Sequence, residues 1–464
     1  MEKYIISLNN KEIPKYIIIS QHIKKMIDKN LIKDGEKLPS IRKLASVLKV
    51  NNVTIVSAYK KLESEGYAIQ KMGSGTYAKR KDVSINFKRK YGSIIRKISG
   101  DDLKEYIDFS AESACSTLFP IEPFKEVINK VLDRDGTDAL VYQEALGYEG
   151  LRQTIDEFFW NEKIKKENIL IVSGAQQGID IVSKALININ DNIIVEKPTY
   201  GGALTVFKWR RANIFEVSME EDGMDLESLE KIAKKNKIKC VYVMSYFQNP
   251  TGISYSIEKK KRLLNLAEIY DFYIIEDDYL SELIYNNREY KSFKKLDIFD
   301  RVIYIKSFSK IFLPGIRLGY LISPKTLKDS IQNSKVNTDI ATSSLMQRAL
   351  DLYIKNGMWK KHIDILSKVY KDRYEFMKEC LKKLNGKVKF YAPEGGLHFY
   401  LQINDDNLDS ISLFYNCKKE KVLITPGIIY YKNPKHGKSF FRLGFSQIEK
   451  NEIEMGIDII KKYI

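Results

Sequence analysis

Five short apolar runs, residues 169–172, 193–196, 239–244, 272–276 and 302–306, are separated by amphipathic stretches such as 175–187 and 256–270. Runs that are apolar throughout mark strands covered on both faces, and helical periodicity between them supplies the crossovers. This alternation predicts that residues 108–464 form an α/β domain around a mostly parallel sheet. In such sheets a ligand sits outside the carboxyl ends of the strands. Chemistry is therefore expected in the residues that follow each run.

Ser173-Gly174-Ala175-Gln176-Gln177 follows the first run and leads into a helix, whose free N–H groups suit a phosphate. Gln248-Asn249-Pro250-Thr251-Gly252 follows the third, and Asn249 can donate a hydrogen bond to a ring oxygen; a plain turn explains the motif equally. After residue 275 come Glu276-Asp277-Asp278-Tyr279. Adjacent acids at the end of an apolar strand repel one another unless a cation lies nearby. A protonated pyridine nitrogen meets that need, and a surface loop or metal site is the alternative. Clustered histidines are lacking, which argues against a transition metal. The last run is followed by Ser307-Phe308-Ser309-Lys310 and Pro314-Gly315-Ile316-Arg317-Leu318-Gly319. A desolvated lysine loses its proton readily and forms a Schiff base with an aldehyde, and an arginine grips a phosphate with two parallel bonds.

With 464 residues the chain exceeds one compact core. Residues 1–90 hold 20 Lys/Arg and 8 Asp/Glu, and the remainder 57 and 52, so the excess positive charge is concentrated at the N-terminal end. Such asymmetry fits contact with a polyanion. Four scattered cysteines without a CxxC pair support neither a disulfide framework nor a zinc site. No apolar run reaches the roughly 18 residues of a membrane span, and the N-terminal stretch, charged at Glu2 and Lys3, reads without the apolar core of a signal peptide. A cytoplasmic location and no membrane partner are expected.

Within the basic segment, Pro14 opens a helical stretch with Ile18, Ile23, Met26 and Ile27 near one face. Asp34-Gly35 reads as a turn. Ser40 is placed to cap a helix carrying Ile41, Leu44 and Leu48. A second helix is predicted over 53–65 with Ile55, Tyr59 and Leu62 inward, ended by Gly66. Strands over 67–70 and 76–78 flank Gly73-Ser74-Gly75. A helix, a short turn, a second helix and a two-stranded wing make a DNA-reading arrangement. Residues 79–107, with Lys79-Arg80-Lys81 and Lys88-Arg89-Lys90, read as an exposed basic connection.

Residues 38–42, the 52–65 helix and the Gly73-Ser-Gly-Thr turn resemble the GntR-type winged helix. Gly174, Asn249, Asp277, Lys310 and Arg317, in that order, resemble the fold type I pyridoxal phosphate (PLP) enzymes, the aspartate aminotransferase superfamily. The combination resembles the MocR-type regulators. It implies a winged helix over 1–80, a linker over 81–107, and an aminotransferase-like domain with large and small subdomains over 108–464. By position, the resemblance implies that Lys310 forms the Schiff base, Asp277 pairs with the pyridine nitrogen, and Tyr279 and Asn249 contact the ring oxygen. Gly174, Ala175, Ser307 and Arg317 would hold the phosphate, Tyr200 would stack on the ring, and Tyr142 would reach the phosphate of a neighbouring subunit. Arg442, in Phe440-Phe-Arg-Leu-Gly-Phe, would bind the carboxylate of a substrate or effector, the alternative being an arginine paired with an internal acid. Ser40, Arg42, Asn52, Thr54, Tyr59 and Gly75 are the implied DNA contacts, although the family often has arginine where this chain has Asn52. Tyr279 stands two residues after Asp277, a spacing shared with MocR-type regulators. Gly202 replaces the arginine found in members that respond to γ-aminobutyrate. The implied protein is a homodimeric, DNA-binding regulator that senses PLP, or a carboxylate-bearing amino compound exchanging for Lys310. The alternative is an active aminotransferase with an accessory DNA-binding head. A further alternative makes PLP itself the only signal.

Overall fold

Helices in the first part of the chain follow from apolar side chains spaced one turn apart. Ile19, Ile23 and Ile27 recur at four-residue intervals and are all buried, so Lys15–Asp28 forms α1 with one inward stripe. Ile19 takes the inward place that the sequence assigns to Ile18. The computed structural model describes the chain except residues 1, 7, 9–12, 29–30, 34, 72, 80–83, 99–102, 104, 143 and 287–290. Asp34 of the expected turn, and Arg80 and Lys81 of the first basic cluster, lie outside the described residues.

Ser40 caps α2 (Ile41–Leu48), its hydroxyl accepting the Lys43 N–H at 3.3 Å. Asn51 caps α3 (Asn52–Ser64) through the Val53 N–H at 3.0 Å. Each cap satisfies one backbone donor that the helix leaves open. Leu44, Leu48, Ile55 and Leu62 join the α1 stripe in one core. The wing pairs β1 (Ala68–Lys71) with β2 (Gly75–Ala78), antiparallel. Residues Ser84–Lys97 form a further helix, α4, inside the segment expected to be a linker. The chain divides into two units, Met1–Arg89 and Lys90–Ile464.

The second unit is built on an eight-stranded sheet. Ile107–Asp108 (β3) lies outside it. Its strands, in chain order, are Ile169–Val172 (β4), Asn192–Lys197 (β5), Asn213–Glu220 (β6), Gly223–Met224 (β7), Ile238–Val243 (β8), Tyr273–Asp278 (β9), Val302–Ser307 (β10) and Gly319–Ile322 (β11). Their spatial order is β4-β11-β10-β9-β8-β5-β6-β7. All neighbouring pairs from β10 through β6 are parallel, and β11 runs antiparallel to both β10 and β4. Helices Ile121–Asp135 (α5), Glu149–Trp160 (α6), Ala175–Leu186 (α7) and Gly201–Trp209 (α8) belong to the same unit. One core cluster joins Ile194, Val241, Val243, Ile274 and Val302 of the sheet to Leu229, Leu263 and Ala267 of the helices 226–233 and 257–269.

A smaller sheet follows, made of Val388–Phe390 (β12), His398–Ile403 (β13), Thr425–Pro426 and Phe440–Gly444, with the intervening Val422–Leu423 (β14) pairing back to β3. Thr425–Pro426 is β15 and Phe440–Gly444 is β16. Tyr400 of β13 stands opposite Arg442 of β16. The α/β fold, its mostly parallel sheet and the winged head thus match the expectation. Among the described residues, no helix is long and apolar enough to cross a membrane.

Candidate functional site

The antiparallel strand β11 is what assembles the site. Ser307 pairs with Gly319 at the end of the β10–β11 ladder, so the loop 308–318 leaves the sheet and returns to the same place. It carries Ser309, Lys310 and Arg317 over the carboxyl ends of the parallel strands. A Cβ on Gly319 would lie 2.5 Å from the Lys306 carbonyl. Only glycine lets the returning strand come this close.

A cavity of about 250 Å³ opens at this edge, lined by Ala175, Tyr200, Asn249, Asp277, Tyr279, Ser307, Lys310 and Arg317 together with Ser113, Gln176, Met244, Ser309 and Pro314. Eight of the residues singled out in the sequence therefore meet around one space. Gly174 adjoins it, because a Cβ there would lie 2.7 Å from Arg317 Nη2. Gly174 also holds φ at +90°, a conformation that costs glycine little. Arg317 donates to the Ser309 hydroxyl at 3.2 Å and to the Ser173 carbonyl at 3.0 Å. Guanidinium, Ser307 and the N-terminus of α7 thus meet at one corner of the cavity, a set of donors whose chemistry suits an anion.

Asp277 lines the same cavity. Its Oδ2 accepts the Tyr242 hydroxyl at 2.6 Å, whereas its buried Oδ1 has no hydrogen-bond partner. Burial raises this carboxyl to about 6, against the Tyr242 hydrogen bond and helped by Asp278 next door. A bare carboxylate oxygen on an enclosed wall fits a cationic N–H such as a pyridinium. The flanking acids find other partners. Lys306 Nζ lies 3.0 Å from Asp278 and 2.6 Å from Glu282, and Glu276 accepts the N–H groups of Phe293 and Lys294 at 2.9 Å. Strand alternation turns Asp277 one way and its neighbours the other.

Burial lowers the Lys310 ammonium pKa, Glu112 opposes the shift, and Arg442 reinforces it. Tyr279 donates to the Phe247 carbonyl at 2.6 Å, and Tyr200 to Gln176 at 3.3 Å. Burial pushes the Tyr200 hydroxyl up to about 12. Tyr142 is not brought into the cavity. It is 81% exposed beside Leu140 and Val141, which are also exposed.

Arg442 is paired within the chain. Its side chain is buried, and the carboxylate it meets belongs to the chain itself: Glu112 Oε1 lies 2.6 Å from Nη1. The remaining contacts are Asn249 Oδ1 at 3.1 Å, the Ser110 carbonyl at 2.8 Å and Thr425 Oγ1 at 3.4 Å. The internal-acid alternative is the arrangement seen. Glu112 and its neighbour His398, 2.8 Å away, were not singled out from sequence, because neither sits in a recognisable local pattern.

In the winged head, Arg42 and Asn52 are exposed, and Thr54 is half-buried at the start of α3. Ser40 is exposed but its hydroxyl serves the α2 cap. Gly75 begins β2, opposite Lys71 and just beyond the Gly73-Ser74 turn. Tyr59 is a correction to the expected contacts. It is 1% exposed and donates to the Pro39 carbonyl at 2.7 Å, so it ties α3 to the preceding turn and presents no group to DNA.

Residues 111–460 match the family described as aminotransferase class I and II, and residues 15–78 match the gntR family of bacterial regulatory proteins. The aromatic-amino-acid aminotransferase 1 of Thermococcus litoralis is 31% identical over 348 residues, covering 73% of this chain and 83% of that protein. The HTH-type transcriptional regulator NorG of Staphylococcus aureus is 30% identical over 435 residues, covering 90% and 96%. Among solved structures, the kynurenine aminotransferase of Pyrococcus horikoshii, in complex with PMP, superposes with a TM-score of 0.76 at 30% identity, covering 80% of this chain and 94% of that one.

Proposed function

The chain belongs to the class I and II aminotransferase family, carried behind a gntR-type head as in the MocR-type regulators, and from that premise we propose that it regulates transcription by coupling DNA binding to occupancy of its PLP pocket. Its cofactor is pyridoxal phosphate. The observation that carries the reading is the single cavity shared by Lys310, the bare Asp277 Oδ1 and the Arg317 corner, in a chain that also exposes Arg42 and Asn52 on a winged helix.

When bound, the cofactor supplies an aldehyde that condenses with amines and a ring that withdraws electrons. The residues divide the remaining work. Arg317, Ser307 and the N–H groups at the start of α7 hold the phosphate. Asp277 Oδ1 would accept the hydrogen bond of a protonated ring nitrogen, and Tyr242 fixes the carboxylate in place. Tyr200 covers the ring face. Lys310, its ammonium pKa lowered by burial, would offer its amine to the cofactor aldehyde, and a small amino compound would compete with it for that carbon. Glu196 supports the floor of the site by accepting from the Met244 N–H, Gln248 and Tyr255, which fixes the loop carrying Asn249. Exposed Leu140, Val141 and Tyr142 fit a face covered by a second copy, as the dimeric habit of this family would have it.

Occupancy alters DNA binding only if the displacing compound favours one arrangement of the protein over another. The test begins with absorbance. Wild-type protein mixed with PLP should develop a visible band that Lys310→Ala lacks, and identical spectra would remove covalent capture. Resemblance to an aminotransferase favours one second reading, catalytic turnover. Sustained amino transfer from a panel of amino acids to 2-oxo acids would establish it; spectral exchange without turnover supports the sensor.

A further inference from the structure

Glu112 is a buried carboxylate with three partners in one place. Oε1 lies 2.6 Å from Arg442 Nη1 and 2.8 Å from His398 Nδ1, and Oε2 accepts the Asn249 side-chain N–H at 2.9 Å. Burial by itself would raise this acid, but the charge of Arg442 above all, with the His398 contact beside it, holds it far below the usual carboxylate range. Arg442 is correspondingly committed, with Nη1 given to Asn249 and Nη2 to Ser110 and Thr425. Its Nε has no hydrogen-bond partner, and the contacts of Glu112 Oε1 with Nη1 and with His398 are charge contacts at close range, outside hydrogen-bond geometry.

The segment bearing Glu112 is pinned on both sides. Phe109 donates its N–H to Leu423 and accepts from Gly444, and the Cys115 N–H donates to Tyr370. Any Cβ on Gly444 would lie 2.2 Å from the Ala111 carbonyl, so the backbone is packed tightly against β16. Glu112 Oε2 stands 3.9 Å from Lys310 Nζ. In an α-amino acid the carboxylate oxygens lie roughly 3 Å from the amine nitrogen by ordinary bond lengths. An amino acid whose nitrogen took the place of Lys310 Nζ would thus bring its carboxylate to the ground that Glu112 holds. Two carboxylates there would repel, and the arginine that should receive the newcomer is engaged.

We propose that Glu112 is a built-in carboxylate that satisfies Arg442 in place of a ligand's own, so that the pocket selects primary amines lacking an α-carboxylate over α-amino acids. The inference rests on the amine-sensing reading above and names the class of compound sensed. Glu112 is then a specificity-determining residue, acting by occupation and by charge.

The experiment titrates the PLP-loaded full-length protein with matched pairs, 2-phenylethylamine against phenylalanine and 3-methylbutylamine against leucine. Binding is followed by the cofactor's absorption spectrum and, independently, by calorimetry. Wild type should bind each amine more tightly than its amino acid. Glu112→Ala should shift the amine-to-amino-acid preference at least tenfold toward the amino acid, and Glu112→Gln, which keeps the side-chain volume, should shift it the same way. Comparing the ratio between proteins cancels the difference in basicity within each pair. Tighter amino-acid binding by wild type, or a ratio unchanged in both variants, would overturn the proposal while leaving amine sensing intact. No response to any of the four compounds in any of the three proteins would remove amine sensing itself, and this proposal with it.

Discussion

Asp277 has one satisfied oxygen and one bare one, and that imbalance has a measurable consequence. In the cofactor-free protein the carboxyl sits at about 6, against an ordinary 3.8, through burial and the adjacent Asp278 despite the Tyr242 hydrogen bond. Between these values the folded protein retains a proton that the unfolded chain has lost. Stability therefore falls as pH rises through the window from about 4 to 6, by about 3 kcal/mol in all. An asparagine does not titrate. The melting temperature of the apo wild type relative to Asp277→Asn should thus decline from pH 4 to pH 6.5 and stay level above. A difference independent of pH would mean that Oδ1 is solvated. A cation against Oδ1 works in the opposite direction, so PLP should flatten the decline. The same residue explains why the site was partly legible in the sequence. Asp277, Lys310 and Arg317 each follow an apolar run, and strand ends are where such sheets place ligands. Glu112 had no such marker. Its partners Asn249, His398 and Arg442 lie far along the chain, and only the folded backbone brings them together.

At the level of elements, strands covered on both faces were the readable ones. The run 302–306 became Val302–Ser307, buried at every position, and 169–172 became β4 unchanged. Strand β6 escaped because only Ile214 and Val217 are buried and Glu216 and Ser218 interrupt it. Strand β11, only four residues long, was hidden within the Arg317 motif. Helix α4 was masked by Lys88-Arg89-Lys90, whose charges obscure its periodicity. The cation demanded by three adjacent acids was also present in the sequence, as Lys306, the next-to-last residue of β10. Parallel pairing sets Lys306 opposite Asp278, and Ser281 at 2.9 Å completes its contacts. All three charged groups of this cluster are largely removed from water. Lys306→Met should therefore destabilise the aminotransferase-like unit by about 3–5 kcal/mol, the usual cost of stranding buried charge. Adding Asp278→Asn and Glu282→Gln to that variant should recover most of the loss in a denaturant titration. A loss of under about 1 kcal/mol in the single variant would show that water or another cation reaches the acids.

The whole molecule divides its labour by charge. Residues 1–90 carry most of the excess positive charge, whereas the longer remainder is nearly balanced. Attraction to DNA should therefore originate in the winged head, while the cofactor pocket contributes through the arrangement it favours. Each phosphate neutralised by a basic side chain adds about −0.9 to the log–log slope of affinity against salt. Arg42 lies exposed on α2, remote in sequence from every residue of the pocket. Arg42→Ala in the full-length protein should flatten that slope by about 0.9 for each head engaged, hence by about 1.8 for a dimer on two half-sites. Fluorescence anisotropy with an operator fragment, measured between low and moderate salt, gives the slope directly. The same preparation should retain the wild-type cofactor spectrum, because no pocket residue has changed. An unaltered slope would take Arg42 off the phosphate backbone, and a slope halved together with a lost spectrum would mean that the variant had unfolded. A flattening of about 0.9 in place of about 1.8 would mean that a single head carries the binding, which removes the two-half-site arrangement while preserving DNA recognition.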